Sequence, residues 1–337
     1  MNTLYLVTGA AGYLGGEVCR QIVSRGEKAR ALVLPHDKMK NYIPDEIELY
    51  EGDLCDMESL KNFFEVPPQT ETIVLHCASM VALGNERREL VMDVNVNVNG
   101  TLHMIECCLE HPECKKLVYV GSTGAIAELS RGHKMAEPEY FDETKVIGIY
   151  GQSKAIASQY VLDAVQKKGL NACIVMPSGI LGPGDNAMGM VTKGLLMQLR
   201  GETPVGVAGT FNLCDVRDLA DGLFLAAEKG KAGESYILAN EVVTYRMFAE
   251  LAAQEGNCKK PLIYLPRILA NLAAAILEKL AEKKGTEPAL TRYEIYNLSR
   301  NNNFDSSKAR RELGYTSRPY RETIHDEIEW LRKNGKV

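Results

Sequence analysis

The chain has 337 residues, of which 45% are hydrophobic, so it can bury the core of one or two domains. Its 39 basic and 44 acidic residues give a net charge of −5, which lacks the basic footprint of a nucleic-acid-binding protein. The nine cysteines contain no Cys-x-x-Cys pair and no Cys/His cluster with zinc spacing, so we expect no metal site.

An odd number of cysteines without a disulfide framework is typical of a reducing compartment, where free thiols pack as small apolar groups. A redox or nucleophilic cysteine is the alternative. The sequence MNTLYLVTGAAG has no basic segment and no long apolar stretch with a cleavage site, so we expect no signal peptide. Together these features predict a cytoplasmic protein.

Short apolar runs alternate with segments of helical periodicity through the first half of the chain. This alternation is typical of βαβ units, and it predicts an α/β fold with a doubly wound parallel sheet covered on both faces. The predicted strands are 4–8, 29–34, 72–77, 116–120 and 172–176, and the predicted helices include 13–24 and 86–110.

The chain changes character after residue 178. Residues 179–186 (GILGPGDN) are rich in glycine and proline and indicate a loop, after which predicted strands at 205–208 and 235–238 mix with helices. We therefore predict a domain over 1–178 and a smaller, mainly helical substrate-binding part over 179–337. Within that second part, residues 211–240 are expected to pack back against the sheet.

The most apolar later segment is ILANLAAAIL, at residues 268–277. It is far shorter than the roughly 20 residues that span a bilayer, and charged residues follow it, so we expect no membrane span. It predicts a buried amphipathic helix, with a surface for lipid or a partner as the alternative.

The first predicted strand leads directly into the glycine-rich sequence TGAAGYLG. Gly9 permits a tight turn, Gly12 lets the backbone approach a pyrophosphate, and Gly15 lets the next helix pack closely on the sheet. The N–H groups near Tyr13 and Leu14 would point at the phosphates. Because this pattern stands between a predicted strand and a predicted helix, it predicts a Rossmann-type dinucleotide-binding domain rather than a merely structural turn.

The second strand indicates which dinucleotide binds. It ends in ALVLP without the acidic residue that would bind the adenosine ribose hydroxyls and favour NAD. His36 and Lys38 follow and could meet a 2′-phosphate, although Asp37 lies between them. This favours NADP, with NAD and a merely solvated Lys38 as the alternatives.

Tyr150 and Lys154 stand four residues apart in YGQSK and would share one face of a helix. A phenol with a pKa of about 10 is a poor proton shuttle at neutral pH, but a nearby ammonium favours the phenolate and lowers that pKa. Tyr150 could then give a proton to a carbonyl oxygen as hydride arrives, or take one from an alcohol. Taken alone, the spacing also fits an ordinary amphipathic helix.

The strand at 116–120 leads into hydroxyl residues, Ser122 and Thr123. The C-terminal ends of parallel strands face the ligand crevice, so Thr123, or Ser122 beside it, could hydrogen-bond the substrate oxygen. The alternative is that these hydroxyls only cap a turn. Found together behind the glycine loop, Thr123, Tyr150 and Lys154 predict a nicotinamide-dependent oxidoreductase.

On these motifs the sequence resembles the extended short-chain dehydrogenase/reductase family, also called the NAD-dependent epimerase/dehydratase family, over nearly the whole chain. The resemblance implies that Tyr150 and Lys154 are the catalytic pair, that Lys154 also holds the nicotinamide ribose, and that Thr123 is the catalytic Ser/Thr. Asn97, in the sequence NVNGT, would be structural or part of the proton relay. The other implied cofactor contacts are Ala11, Asp53 near the adenine amine, Leu54, Cys77, Ala78, Ser79, Pro177 and Ser178.

Residues after the strand at 172–176 indicate the branch of the family. The Pro177-Ser178 form is more similar to dihydroflavonol-reductase-like and 3β-hydroxysteroid-dehydrogenase-like members, whereas sugar-nucleotide epimerases often carry arginine at the position of Met176. The resemblance therefore implies an NAD(P)(H)-dependent enzyme that interconverts a ketone or aldehyde and an alcohol on a small to medium apolar substrate. The alternatives are a sugar-nucleotide epimerase with tightly bound NAD and a non-catalytic cofactor-sensing or scaffold protein.

Two further expectations rest on the resemblance. Family members often dimerise through two helices per subunit, here 86–110 and 150–167, which implies a homodimer. The small-molecule substrate would be selected by variable segments at 127–144, 185–198 and 262–298.

Overall fold

The structure, a computed structural model, describes residues 2–81, 94–286, 288 and 290–337. Most strands follow the short apolar runs of the sequence. The strands are β1 (Asn2–Thr8), β2 (Lys28–Val33), β3 (Glu48–Glu51), β4 (Thr70–His76), β5 (Cys114–Val120), β6 (Ala172–Pro177), β7 (Gly179–Leu181), β8 (Val205–Val207), β9 (Thr210–Asp215), β10 (Ser235–Leu238), β11 (Val242–Thr244) and β12 (Ile263–Leu265).

The helices occupy the segments between these strands and much of the C-terminal part. They are α1 (Tyr13–Ser24), α2 (Met57–Phe64), α3 (Gly100–Glu110), α4 (Ile149–Lys168), α5 (Met190–Leu199), α6 (Val216–Lys229), α7 (Tyr245–Gly256), α8 (Arg267–Lys284), α9 (Arg292–Ser299), α10 (Ser307–Glu312) and α11 (Tyr320–Lys333).

A seven-stranded parallel sheet in the order β10-β6-β5-β4-β1-β2-β3 forms the centre of the molecule. Neighbouring residues on each strand enter different cores: Leu6 packs with residues of α2, α3 and α4, and Val7 with residues of α1 and α6. Helices therefore cover both faces, and the predicted doubly wound, Rossmann-type fold is confirmed. Strand β3 and the small sheet β11-β9-β7 were not predicted, because short runs such as Glu48–Glu51 lack a buried apolar pattern.

The second half of the chain contributes to the central sheet. Strand β10 pairs in parallel with β6, and α6 packs against α1 and strands β5 and β6. The remaining elements form two further cores, one around α5, α7 and α11 and one around α8 and α9. Segments on both sides of residue 178 therefore surround the carboxyl edge of the sheet.

Two helices are expected at a dimer interface, 86–110 and 150–167. Residues 82–93, which include the start of the predicted helix at 86–110, lie outside the described residues. The described part begins with a π-helical turn, Asn95–Asn99, and continues as α3. The other helix expected at a dimer interface, 150–167, corresponds to α4.

Helix α8 contradicts the prediction of a buried amphipathic helix. Its buried residues are the alanines Ala270, Ala274 and Ala281, whereas Ile268 is 75% and Leu272 59% exposed. The short alanine side chains allow a close approach to the neighbouring core, so the large residues point away from it. None of the helices in the described ranges is long and apolar enough to cross a membrane.

Candidate active site

The glycine loop between β1 and α1 is built for close backbone contact. Gly9 has φ 67°, and a Cβ there would lie 2.7 Å from the Ala78 Cα at the end of β4. A Cβ on Gly15 would lie 2.2 Å from the Gly9 carbonyl oxygen. Gly12 begins α1 without a side-chain cap, so the N–H groups of the first turn remain available to an anionic ligand. This cradle fits the pyrophosphate of a dinucleotide.

The side chain of Tyr13 has a role that sequence reasoning missed. Its hydroxyl donates a hydrogen bond to the carbonyl of Gly182, in the loop after β7. Burial, and then the negative charge of Glu327, raises the Tyr13 pKa well above its ordinary value, so the phenol remains a donor. Tyr13 thereby ties the dinucleotide loop to the C-terminal part, while Leu14 is buried and Ala11 half-buried beside it.

The predicted adenosine contacts lie along the ends of β2 and β3. Asp53 is exposed, and its Oδ1 accepts from the Cys55 N–H at 2.8 Å, whereas Leu54 is buried against Gly100. Lys38 is exposed at the start of a 3₁₀ turn, which Asp37 caps by accepting from the Met39 N–H at 2.8 Å. The carboxylate between His36 and Lys38 is thus engaged with the backbone.

Asn97 joins the end of β4 to α4. Its Oδ1 accepts from the Ser79 hydroxyl at 3.1 Å and from the Met80 N–H at 2.9 Å, and its Nδ2 donates to the Ser153 Oγ at 3.0 Å. Ser153 in turn donates to the Tyr150 carbonyl at 2.9 Å. Asn97 is fully buried, so this network fixes the backbone beneath Tyr150.

His76 is a second buried residue whose role the sequence did not reveal. Its Nδ1 lies 2.6 Å from the Thr8 hydroxyl, and its Nε2 lies 3.2 Å from the Thr101 hydroxyl. Thr101 donates to the Asn97 carbonyl at 2.7 Å, so we assign the ring proton to Nε2. Burial, followed by the charge of Lys154, lowers the His76 pKa to about 3, and the ring is neutral.

Lys154 is 2% exposed at the end of β5. Its Nζ donates to the Val120 carbonyl at 2.8 Å and to the Tyr119 hydroxyl at 3.4 Å, and it lies 4.9 Å from the centroid of the Tyr119 ring. Burial and the nearby Tyr150 raise the pKa of Tyr119, which keeps that phenol neutral. The protein thus holds a buried ammonium one helical turn from Tyr150.

Thr123 lies in the turn that follows β5, and the Tyr150 ring packs on the same turn. The Thr123 hydroxyl donates to the Pro177 carbonyl at 3.1 Å, whereas Ser122 caps the turn by accepting from the Gly124 N–H at 3.0 Å. A Cβ on Gly124 would lie 3.7 Å from the Tyr150 Cε1, so the half-buried ring lies against this turn. The two hydroxyl residues therefore have different partners: Ser122 caps its own turn, whereas Thr123 binds the end of β6.

The predicted residues at the ends of β4 and β6 adjoin this centre. Cys77, Ala78 and Ser79 are half-buried after β4, and burial raises the pKa of the Cys77 thiol. Pro177 and Ser178 are buried after β6, and the Ser178 hydroxyl lies beside the buried thiol of Cys214.

Helix α9 brings a further side chain to the site. The Tyr293 ring packs on Gly148, which has φ 90° and precedes Tyr150 by two residues. A Cβ on Gly148 would lie 2.5 Å from the Tyr293 Cε2. No sequence motif marks this contact, because α9 lies some 140 residues further along the chain.

Comparisons with known proteins agree with this geometry. Residues 5–239 match the NAD dependent epimerase/dehydratase family. The chain is 29% identical to a Synechocystis protein named "Putative dihydroflavonol 4-reductase", over 100% of this chain and 97% of that one. It is 28% identical to the sterol-4-alpha-carboxylate 3-dehydrogenase, decarboxylating, of Saccharomyces cerevisiae, over 97% of each.

Solved structures extend the comparison. The crystal structure of gox2253 is similar with a TM-score of 0.85 and 33% identity, over 100% of both chains. A Thermus thermophilus UDP-glucose 4-epimerase in complex with NAD has a TM-score of 0.76 and 21% identity, over 98% of this chain and 99% of that one, a likeness of fold alone. The chain therefore belongs to the NAD-dependent epimerase/dehydratase family, the extended short-chain dehydrogenases/reductases, and is an NAD(P)-dependent oxidoreductase.

Proposed function

We propose that this protein interconverts a ketone or aldehyde and an alcohol on an apolar substrate, with Tyr150 as the general acid/base. One observation carries the proposal: the buried ammonium of Lys154 lies one helical turn from Tyr150, whose ring packs on Gly124, the residue after Thr123. A buried cation next to a phenol favours the phenolate. This arrangement suits reversible proton transfer at a substrate oxygen.

The cofactor would lie along the carboxyl edge of the sheet. The loop with Gly9 and Gly12 would hold its pyrophosphate, Asp53 its adenine, and Lys154 its nicotinamide ribose. The cofactor supplies or accepts the hydride when bound. His36 and Lys38 are free to meet a 2′-phosphate, because Asp37 caps its own turn. This supports NADP, while the family as a whole supports NAD.

The residues of the chain supply the proton chemistry. In the reductive direction, Thr123 donates a hydrogen bond to the substrate carbonyl in place of its bond to Pro177, and Tyr150 gives its proton to the same oxygen. Lys154 stabilises the phenolate that remains. In the oxidative direction, Tyr150 takes the proton from the alcohol. Asn97 and Ser153 keep the first turn of α4 in position through both directions.

The relatives support an apolar substrate. One carries the name of a sterol-4-alpha-carboxylate 3-dehydrogenase, and the Tyr293 ring beside the centre offers an apolar and aromatic wall. By analogy we propose an alicyclic secondary alcohol or its ketone. The family resemblance also supports a homodimer and a cytoplasmic location as proposals.

A substrate panel tests this function. Purified protein is incubated with NADH or NADPH and a panel of apolar ketones that includes 3-ketosteroids, and cofactor absorbance is followed; the reverse reaction uses the alcohols. We expect net cofactor oxidation that tracks ketone reduction. A protein that copurifies with NAD and interconverts sugar-nucleotide epimers without net oxidation would instead establish the epimerase. Cofactor binding without any turnover would support the sensor.

A further inference from the structure

Helix α8 carries an apolar face that the fold does not cover. Ile268, Leu272 and Ile276 follow one another at four-residue spacing and therefore share a face, and they are 75%, 59% and 62% exposed. Leu280 continues this spacing and is 47% exposed, and Leu269, on the flank of the face, is 52% exposed. We call these five residues the α8 apolar face.

The opposite face of α8 packs against the rest of the protein. Ala270 and Ala274 are fully buried in a core that also contains Val207 and Ile295. The helix thus packs through its small residues and presents its large ones outward. A merely structural helix gains nothing from exposed isoleucine and leucine, so the arrangement points to a second apolar environment.

The apolar surface continues into the segment before the helix. Leu262 is 87% exposed and Ile263 is 59% exposed. Ile263 of β12 pairs with Val205 of β8, which is itself 44% exposed. Exposed large hydrophobic side chains therefore also occur on the short sheet β12-β8, whose strand β12 immediately precedes α8 in the chain.

The charges around this surface are mainly basic. Residues 259–284 contain six lysines and arginines and two glutamates in a chain of net charge −5. Lys279 and Lys283 stand three and seven residues after Ile276, so they continue the apolar face at its C-terminal end. Of the two acids, Glu278 forms an ion pair with Arg292 at 2.7 Å, and Glu282 is exposed. Of the six bases, Lys260 forms an ion pair with Glu250 at 2.7 Å.

We propose that the α8 apolar face docks on the surface of an anionic lipid bilayer, with α8 lying in the interfacial plane. Isoleucine and leucine would enter the acyl boundary, and the lysines would extend to the headgroups. The lysines and arginines of residues 259–284 favour an anionic lipid surface over an uncharged apolar partner, because their positive charge complements that of the headgroups.

Docking there would bring the bilayer close to the active site. Helix α9 packs against α8 and carries Tyr293, which contacts Gly148 near Tyr150. An apolar substrate dissolved in the bilayer would then lie next to the catalytic centre. Only this last link rests on the proposed function, because lipid binding is measured without turnover.

Vesicle sedimentation of the full chain tests the proposal. We expect it to sediment with vesicles of phosphatidylcholine mixed with phosphatidylserine, and less with pure phosphatidylcholine or at high salt. Leu272→Glu should lower the partition coefficient by about tenfold or more, because it removes a lipid-buried leucine and adds a negative charge. Leu49→Glu is the matched control, because Leu49 is 45% exposed on the edge strand β3. This variant should bind vesicles as the unaltered chain does.

Two results would overturn the proposal. One is no sedimentation with anionic vesicles, or sedimentation that Leu272→Glu leaves unchanged. The other is self-association through the same face, seen as a dimer in light scattering that Leu272→Glu dissociates while vesicles bind neither form. Thermal unfolding of each variant confirms that it remains folded, and carbonyl turnover with a water-soluble ketone reports separately on the proposed function.

Discussion

Lys154 and His76 show how one buried cation shapes the residues around it. The ammonium is held by the Val120 carbonyl and the Tyr119 ring, and its charge adds to burial in keeping His76 neutral. A neutral His76 can donate through Nε2 to Thr101 and accept from Thr8. The two threonines thus connect the dinucleotide loop to the helical turn that carries Asn97.

His76 predicts a pH dependence of stability. Its pKa is about 3 in the folded state and about 6.5 in the unfolded chain, so between these values only the unfolded state binds the proton. The free energy of unfolding should therefore fall as pH decreases from about 6.5, by at most about 1.4 kcal/mol per pH unit from this group. Urea unfolding across this range should show the difference between the unaltered chain and His76→Asn shrinking as pH falls.

The exposed His36 provides the control for that series. His36→Asn leaves His76 in place, so its free energy of unfolding should still fall as pH decreases. A constant difference for His76→Asn would show that the buried ring does not resist protonation.

At the scale of elements, the fold places the ends of β1 and β4 in direct contact. Gly9 must accommodate both a left-handed backbone and the Ala78 backbone, whereas Gly26, with φ 70°, has nothing within 4 Å of its Cβ position. Substitutions at both glycines impose left-handed backbone strain, but only a substitution at Gly9 also creates a steric clash.

We predict that Gly9→Ala abolishes the thermal stabilisation produced by nicotinamide cofactors. The added Cβ would push β4 away from the loop, whereas Gly26→Ala should cost only the left-handed strain of about 1–2 kcal/mol and retain cofactor binding. Thermal-shift titrations of both variants with NADH and NADPH measure this. Equal cofactor response in the two variants would contradict the cradle.

At the scale of the whole molecule, the C-terminal segment closes back through Arg318 on helix α6, which packs against the central sheet. Its guanidinium donates to the Asp218 carboxylate of α6 at 2.7 and 2.9 Å, and its backbone N–H donates to the same group at 2.7 Å. Asp218 is 8% exposed, whereas Glu322, a second partner of Arg318 at 3.3 Å, has a side chain that is 53% exposed.

Asp218→Asn should destabilise the protein by about 1.5–3 kcal/mol, because it removes the charge-assisted hydrogen bonds to Arg318, although the buried carboxylate of Asp215 remains 3.6 Å from the Arg318 guanidinium. Glu322→Gln, the matched control, should cost less than about 1 kcal/mol, since an exposed ion pair is screened by water. Urea unfolding of both variants measures the two changes in the free energy of unfolding. Similar decreases for the two variants would contradict the assignment of the Arg318–Asp218 pair as the stronger contact.

The sequence predicted those parts of the molecule whose contacts are local or periodic. The sequence TGAAGYLG predicts helix α1 correctly, because the glycine spacing and the helix periodicity both lie within about 20 residues. The position of Tyr293 on Gly148 and the tie from Tyr13 to Gly182 join segments far apart in the chain, and no local pattern encodes them. The burial of α8 is predicted wrongly, because apolar content alone does not show which face of a helix packs on the rest of the protein. In α8 the alanines are buried and the large apolar residues are exposed.

Replacement of the Tyr150 hydroxyl tests the central claim most directly. Tyr150→Phe keeps the ring that packs on Gly124 and removes only the proton donor, so turnover should fall by about 10²–10⁴-fold while cofactor affinity stays nearly unchanged. Tyr160→Phe, at a tyrosine of α4 that is 39% exposed and outside the expected substrate-selecting segments, controls for the loss of a phenol and should retain full turnover. Turnover in Tyr150→Phe equal to that of the unaltered enzyme would contradict the assignment of Tyr150 as the general acid/base.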